Sequence, residues 1–109
     1  MANIFELIMN VGDKLEIDLN LMDYLTTDET VIQVDKDIEK LVSGDSESDS
    51  TTTITDDNTD PRTINDTNNG FKLILDAGSL NSGETHRLRN KVTTSKSNIF
   101  YIDFYLSVR

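Results

Sequence analysis

Residues Asn98 to Arg109 read Asn-Ile-Phe-Tyr-Ile-Asp-Phe-Tyr-Leu-Ser-Val-Arg, and this closing stretch decides the fold class. Phe100, Ile102, Phe104, Leu106 and Val108 fall on every second residue, with Tyr101, Asp103, Tyr105 and Ser107 between them. A strand places such a comb on one face, whereas a helix scatters it around its circumference. β-branched and aromatic residues dominate, and neither Gly nor Pro interrupts. The stretch is therefore predicted to be a long strand with one buried face.

The same period recurs upstream. Glu84 to Ser95 sets His86, Leu88, Asn90 and Val92 against Thr85, Arg87, Arg89 and Lys91, and Lys96-Ser97-Asn98 makes the turn into the last strand. Phe71, Leu73, Leu75 and Ala77 alternate with Lys72, Ile74 and Asp76, followed by a loop whose Gly78 and Gly83 are able to take positive φ. Lys14 to Leu21 points Leu15, Ile17, Leu19 and Leu21 one way and Lys14, Glu16, Asp18 and Asn20 the other, the pattern of a half-buried antiparallel strand. Asp23 to Asp28 breaks this alternation, and Tyr24 and Leu25 are expected to cap the core at a corner. Thr30 to Asp35 reads as a further strand.

Three segments are less regular. Ile4, Phe5, Leu7, Ile8 and Met9 give residues 1–12 an apolar opening, either an edge strand of the chain's own sheet or an arm for a neighbouring subunit. Lys36 to Ser43 places Ile38, Leu41 and Val42 on a helical face ended by Gly44, but eight residues make a marginal helix, so strand or irregular structure is expected. Ser43 to Gly70 is an insert rich in Ser, Thr, Asp and Asn, with Ile54 and Ile64 its only aliphatic residues. Its composition is that of a disordered segment. Yet Thr52 to Thr55 and Arg62 to Asn65 flank an acidic turn cluster, which predicts a protruding, mostly solvated hairpin.

With 109 residues the chain is expected to form one domain over 1–109. About six or seven strands without a long helix predict an all-β fold, an antiparallel sandwich. Hydrophobic residues make up 36% of the chain, against a usual ~45–50%, and the deficit lies mostly in the 43–70 insert. Net charge is −10, and residues 1–60 carry 16 acids and 3 lysines while 61–109 carry 4 acids and 7 basic residues. Phosphate backbones and anionic membrane surfaces are disfavoured as partners by the acidic half. A head-to-tail assembly in which acidic and basic surfaces meet would suit the asymmetry, and solubility alone is the other reading. There is no cysteine, hence no disulfide and no thiolate site. The opening residues lack a basic region followed by a long apolar run, so no secretory signal is expected.

Catalytic signals are sparse. His86 is the one histidine, it sits on the inward-alternating side of its strand, and no serine stands in a Gly-x-Ser-x-Gly elbow. Zinc has no ligand set here. Asp56, Asn58 and Asp60, and again Asp45, Glu47 and Asp49, repeat the first spacings of a calcium loop, but Pro61 and Ser50 stand where such a loop needs glycine and no glutamate closes either copy. Asn65-Asp66-Thr67 matches a glycosylation sequon, read as coincidence without a secretory signal. No cofactor or metal is expected, and no enzyme activity. Arg87, Arg89 and Lys91 form a basic stripe on one strand face, either solvated or a docking face for an acidic partner.

Several stretches carry a family resemblance. Leu73-Ile74-Leu75-Asp76-Ala77-Gly78, Ser82-Gly83-Glu84-Thr85, Asn90-Lys91-Val92-Thr93-Thr94-Ser95 and Phe104-Tyr105-Leu106-Ser107-Val108-Arg109 resemble the closing half of a small immunoglobulin-like family of tailed bacteriophages. Leu15-Glu16-Ile17-Asp18 and Asp23-Tyr24-Leu25-Thr26 look like that family's opening strand and corner, so the match covers about 55 of the 109 residues. The sequence departs from the family in its longer acidic insert, in Leu88 where an aromatic is common, and in Lys96-Ser97 in place of a glycine. The resemblance implies an immunoglobulin-like β-sandwich with no catalytic residues. It implies a virion structural protein, made in the host cytoplasm, that links tail or fibre components to the portal region. Capsid decoration is the alternative within that class, and a glycan- or calcium-binding module the alternative outside it. The expected partners are portal, tail, fibre or capsid proteins, with Ile4, Phe5, Leu7, Ile8, Arg87, Arg89, Lys91, Tyr101 and Tyr105 as the candidate interface.

Overall fold

The computed structural model describes residues 2–43, 46–50, 54–55 and 61–109. Eight strands follow one another among them: β1 (Ala2–Met9), β2 (Lys14–Asn20), β3 (Val31–Ser43), β4 (Ser46–Asp49), β5 (Thr63–Ile64), β6 (Gly70–Asp76), β7 (Thr85–Thr94) and β8 (Ile99–Val108). They form a five-stranded sheet in the order β1-β8-β7-β3-β4 and a three-stranded sheet in the order β2-β6-β5. The only helical piece among the described residues is a single 3-10 turn, Met22–Tyr24.

The alternation read from the sequence is the alternation of burial. Along β7, residues 86, 88, 90, 92 and 94 are buried and the intervening ones are not. Phe71, Leu73 and Leu75 of β6 face Ile102, Phe104 and Leu106 of β8 across a shared core, together with Leu88 and Val92. Two sheets packed on one apolar layer make this fold an all-β sandwich. Gly70 is required where β2 and β6 meet, because a Cβ there would lie 1.7 Å from the carbonyl oxygen of Leu19. Of the two loop glycines, Gly83 takes φ of +88°. At Gly78 the backbone N–H instead donates to the Asp76 carboxylate at 2.8 Å.

β1 lies in register beside β8 and parallel to it, Phe5 against Phe104 and Leu7 against Leu106, so the larger sheet is mixed while the other pairings are antiparallel. The opening segment thus docks on the chain's own sheet as an edge strand. β3 runs unbroken through Lys36–Ser43, and its register shifts between Lys36 and Ile38. That bulge inserts one residue and inverts the phase of the alternation, which is why the segment showed no clean period of two. At the corner, Leu25 packs against the core, whereas Tyr24 is exposed and tilts its ring over Phe100 with centroids 5.9 Å apart.

The acidic insert corrects the expectation of a protruding hairpin. Ser46–Asp49 extends the larger sheet as β4, Thr55 bridges to Leu75, and Thr63–Ile64 pairs with Lys72 and Phe71. The described residues of the two segments expected to pair with each other therefore both lie along β6. Ile54 is completely buried, and Asp76 N–H donates to its carbonyl at 3.0 Å. Arg62 is 2% exposed: its backbone N–H reaches Val34 O at 2.6 Å and its Nε reaches Asn90 Oδ1 at 3.1 Å, tying the insert to the opposite sheet. Thr52, Thr53 and the turn cluster at 56–60 lie outside the described residues.

Candidate protein-interaction face

The outer side of the five-stranded sheet is built by the residues that alternate against the core. From β8 come Tyr101, Asp103, Tyr105 and Ser107, opposite Lys91, Arg89, Arg87 and Thr85 of β7. On the other side of β8, Ile4 aligns with Asp103 and Ile8 with Ser107. Ile4, Ile8, Arg87, Arg89, Lys91, Tyr101 and Tyr105 thus share one surface, although 78 residues of chain lie between Ile8 and Arg87. Phe5 and Leu7, expected at the interface with them, turn to the other side of β1 and pack on the core. Phe5 stacks at a tilt on Phe104, centroids 5.8 Å apart.

The two arginines of the basic stripe on β7 are each paired with an acid. Arg89 grips Asp103 with two parallel hydrogen bonds, Nε to Oδ1 at 2.9 Å and an Nη to Oδ2 at 3.0 Å. Such a fork is the strongest geometry for this ion pair, and it covers the Asp103 carboxylate so fully that the residue is 2% exposed. The Arg89 guanidinium also sits 5.3 Å from the Tyr101 ring centroid, within cation–π range. Arg87 meets Glu47 of β4 at 2.9 Å. Lys40 of β3 engages Asp49 and holds that carboxyl below its usual range. Glu47 and Asp49, two positions of the second calcium-like spacing, therefore have cationic side chains as their partners. Asp45 and the first copy, Asp56, Asn58 and Asp60, lie outside the described residues. Among the described residues no group of three or more His, Asp or Glu side chains is arranged to hold a metal ion.

His86 faces inward and is 2% exposed. Its Nδ1 lies 3.3 Å from Ser50 Oγ and its Nε2 lies 3.5 Å from Glu84 Oε1. These contacts link the end of β4 to the start of β7. Glu84 also closes its own turn, accepting from Asn81 N–H at 2.7 Å, and that bond is the main reason its carboxyl titrates below the usual range.

A second polar cluster had no signature in the sequence. Glu29 is 7% exposed, and both of its carboxylate oxygens accept hydrogen bonds. Oε1 takes the backbone N–H of Thr26 at 2.9 Å, and Oε2 takes the Thr94 hydroxyl and the Asn98 side-chain amide, the latter at 2.8 Å. The Thr94 hydroxyl, followed by Thr26 N–H and Asn98, lowers the pKa to about 2 against the opposing effect of burial. Lys96 completes the link through Nζ contacts to Thr26 Oγ1 at 2.9 Å and Thr27 O at 2.7 Å. Glu29 also borders a shallow open hollow with Met22, Leu25, Thr67 and Asn69. Its oxygens are committed to the protein's own donors, so its role there is to pin the corner to the β7–β8 turn. One glutamate among 20 acids carries no local pattern that would single it out.

No family model matches the chain, and no curated protein is similar to it in sequence. Among solved structures, it is similar in fold to a 2,6-sialyltransferase of Photobacterium sp. crystallised with CMP and lactose. The TM-score is 0.52 at 12% identity, over 99% of this chain and 18% of the transferase chain. At that identity the likeness is one of fold alone.

Proposed function

We propose that this chain is a non-enzymatic structural subunit of a tailed-bacteriophage virion, an immunoglobulin-like adaptor that joins tail or fibre components to the portal region. The observation that carries the reading is the outer face of the five-stranded sheet. There Ile4 and Ile8 of β1 and Tyr101 and Tyr105 of β8 lie to one side of Arg87 and Arg89 of β7. Tyr and Arg dominate the energetics of protein interfaces. Arg89 is already fixed by Asp103 and Tyr101, so binding would freeze little further side-chain freedom. The strand order also supports the reading. An arrangement of β2-β6-β5 on β8-β7-β3, with β4 as a further strand beside β3, suits an immunoglobulin-like sandwich. Several copies made in the host cytoplasm would assemble with portal, tail or fibre proteins through this face.

The test is incorporation. Purified particles from wild-type infection should contain the chain at the head–tail or fibre region, and the Tyr101→Ala/Tyr105→Ala double variant should be at least about tenfold depleted from particles while melting like the wild type. Normal incorporation of that variant would remove the face from the account. Absence of the wild-type chain from particles would remove the virion role, and location on the head shell would replace adaptor by decoration protein.

A further inference from the structure

We propose that the outer edge of β2, with the apolar seam it leaves open toward β1, receives an extended strand from a partner protein in which apolar residues alternate with lysine or arginine. The four sheet edges differ. β5 has two paired residues, and β4 has four, all exposed. β2 offers seven residues without Gly or Pro, and among the described residues β6 is its only strand neighbour. A long strand with one unpaired side is a template for strand addition.

The core is closed on one flank and open on the other. Near β3 and β5, Val34 and Ile54 are completely buried. Along β2, Leu15, Ile17 and Leu19 share a face with the buried Leu75, Leu73 and Phe71. Yet Leu15 is 42% exposed, and Ile17 and Leu19 are only half-buried. Phe5 and Leu7 of β1 are half-buried in the same way. The turn 10–13 joins the two edges: Val11 N–H bonds to Arg109 O beyond β8, and Gly12 N–H reaches Ala77 O beyond β6. These incompletely covered apolar side chains therefore lie along one flank, where the smaller sheet lacks a strand. An added strand would cover them with every second side chain.

Charge selects the occupant. The opposite face of β2 presents Glu16 and Asp18, both exposed, aligned with Ile74 and Lys72 of β6. A strand on the free side would set its outward residues beside these two carboxylates, where opposite charges stabilise and like charges destabilise. A second copy is the wrong occupant. Antiparallel self-pairing about Ile17 places Glu16 across from Asp18 twice, between two chains of net charge −10. The acids that blunt the edge against itself thus admit a basic, apolar-alternating strand. This edge stands apart from the Tyr101 face, and its test needs no particle.

The full chain is titrated with a short synthetic peptide alternating valine and lysine, and with its valine–glutamate counterpart, while amide NMR and hydrogen exchange are followed. The lysine peptide should protect the amides of Lys14–Asn20 and bind about tenfold more tightly than the glutamate peptide, from two favourable cross-strand pairs. The Glu16→Lys/Asp18→Lys variant should reverse that preference. Equal affinity for both peptides, protection at β1 or β4 instead, no binding of the lysine peptide, or dimerisation of the chain through β2 would each overturn the proposal.

Discussion

Glu29 shows how a single side chain decides stability without any contribution from hydrophobic burial. Its folded pKa of about 2 lies below the ordinary 4.5 because Thr94, Thr26 and Asn98 donate to the ionised form. A group with a depressed folded pKa stabilises the fold fully above its unfolded pKa, and that contribution is lost as pH falls through the folded value. Glu29→Gln should therefore lower the melting temperature at neutral pH and flatten the stability–pH curve between about 4.5 and 2. Denaturant unfolding across that window is the measurement. A variant curve parallel to the wild type would remove Glu29 as the pin between corner and turn. Arg89 and Asp103 make a second residue-scale point. Asp103 sits at an outward position of the comb, and it is buried because a neighbouring strand supplies the guanidinium that covers it.

At the scale of elements, the acidic insert departs most from its composition. Ser, Thr, Asp and Asn provide almost no apolar area, so the segment as a whole resembles solvated chain. One residue changes its role: Ile54, completely buried, plugs the rim beside β6 while Arg62 reaches across to Asn90. Ile54→Ala should cost about 2–4 kcal/mol, as deletion of a buried aliphatic side chain does. Chemical denaturation reads this directly, and a cost near zero would return the segment to the protruding hairpin expected from composition. β3 carries a related lesson. Its apolar pattern over Lys36–Ser43 was ambiguous because a bulge shifts the phase, and sequence periodicity has no way to register an extra residue in a ladder.

At the scale of the whole molecule, the sandwich is asymmetric: sealed where β3, β5 and the insert meet, and open along β1 and β2. Native-state hydrogen exchange should reflect this. Amides of β7, paired on both sides by β3 and β8, should be slowest, while those of β2 exchange by more frequent local opening. Equal protection of β2 and β7 would mean that the open flank is not open in solution. The charge asymmetry read from the sequence persists only in part as a surface property, since Glu47 from the acidic half neutralises Arg87 from the other within one sheet.

The sequence by itself determined that β2, β6, β7 and β8 are strands and which side of each faces the core, because alternation is a local property of an extended chain. It left open what each strand lies beside. The parallel seat of β1 on β8, the plug at Ile54, the pin at Glu29 and the meeting of Ile4 and Ile8 with Tyr101 and Arg89 were decided only by the tertiary structure. The reason is physical: period two specifies a face, whereas neighbours and partners are set by packing between segments far apart in the chain, and one residue's spacing carries no trace of them.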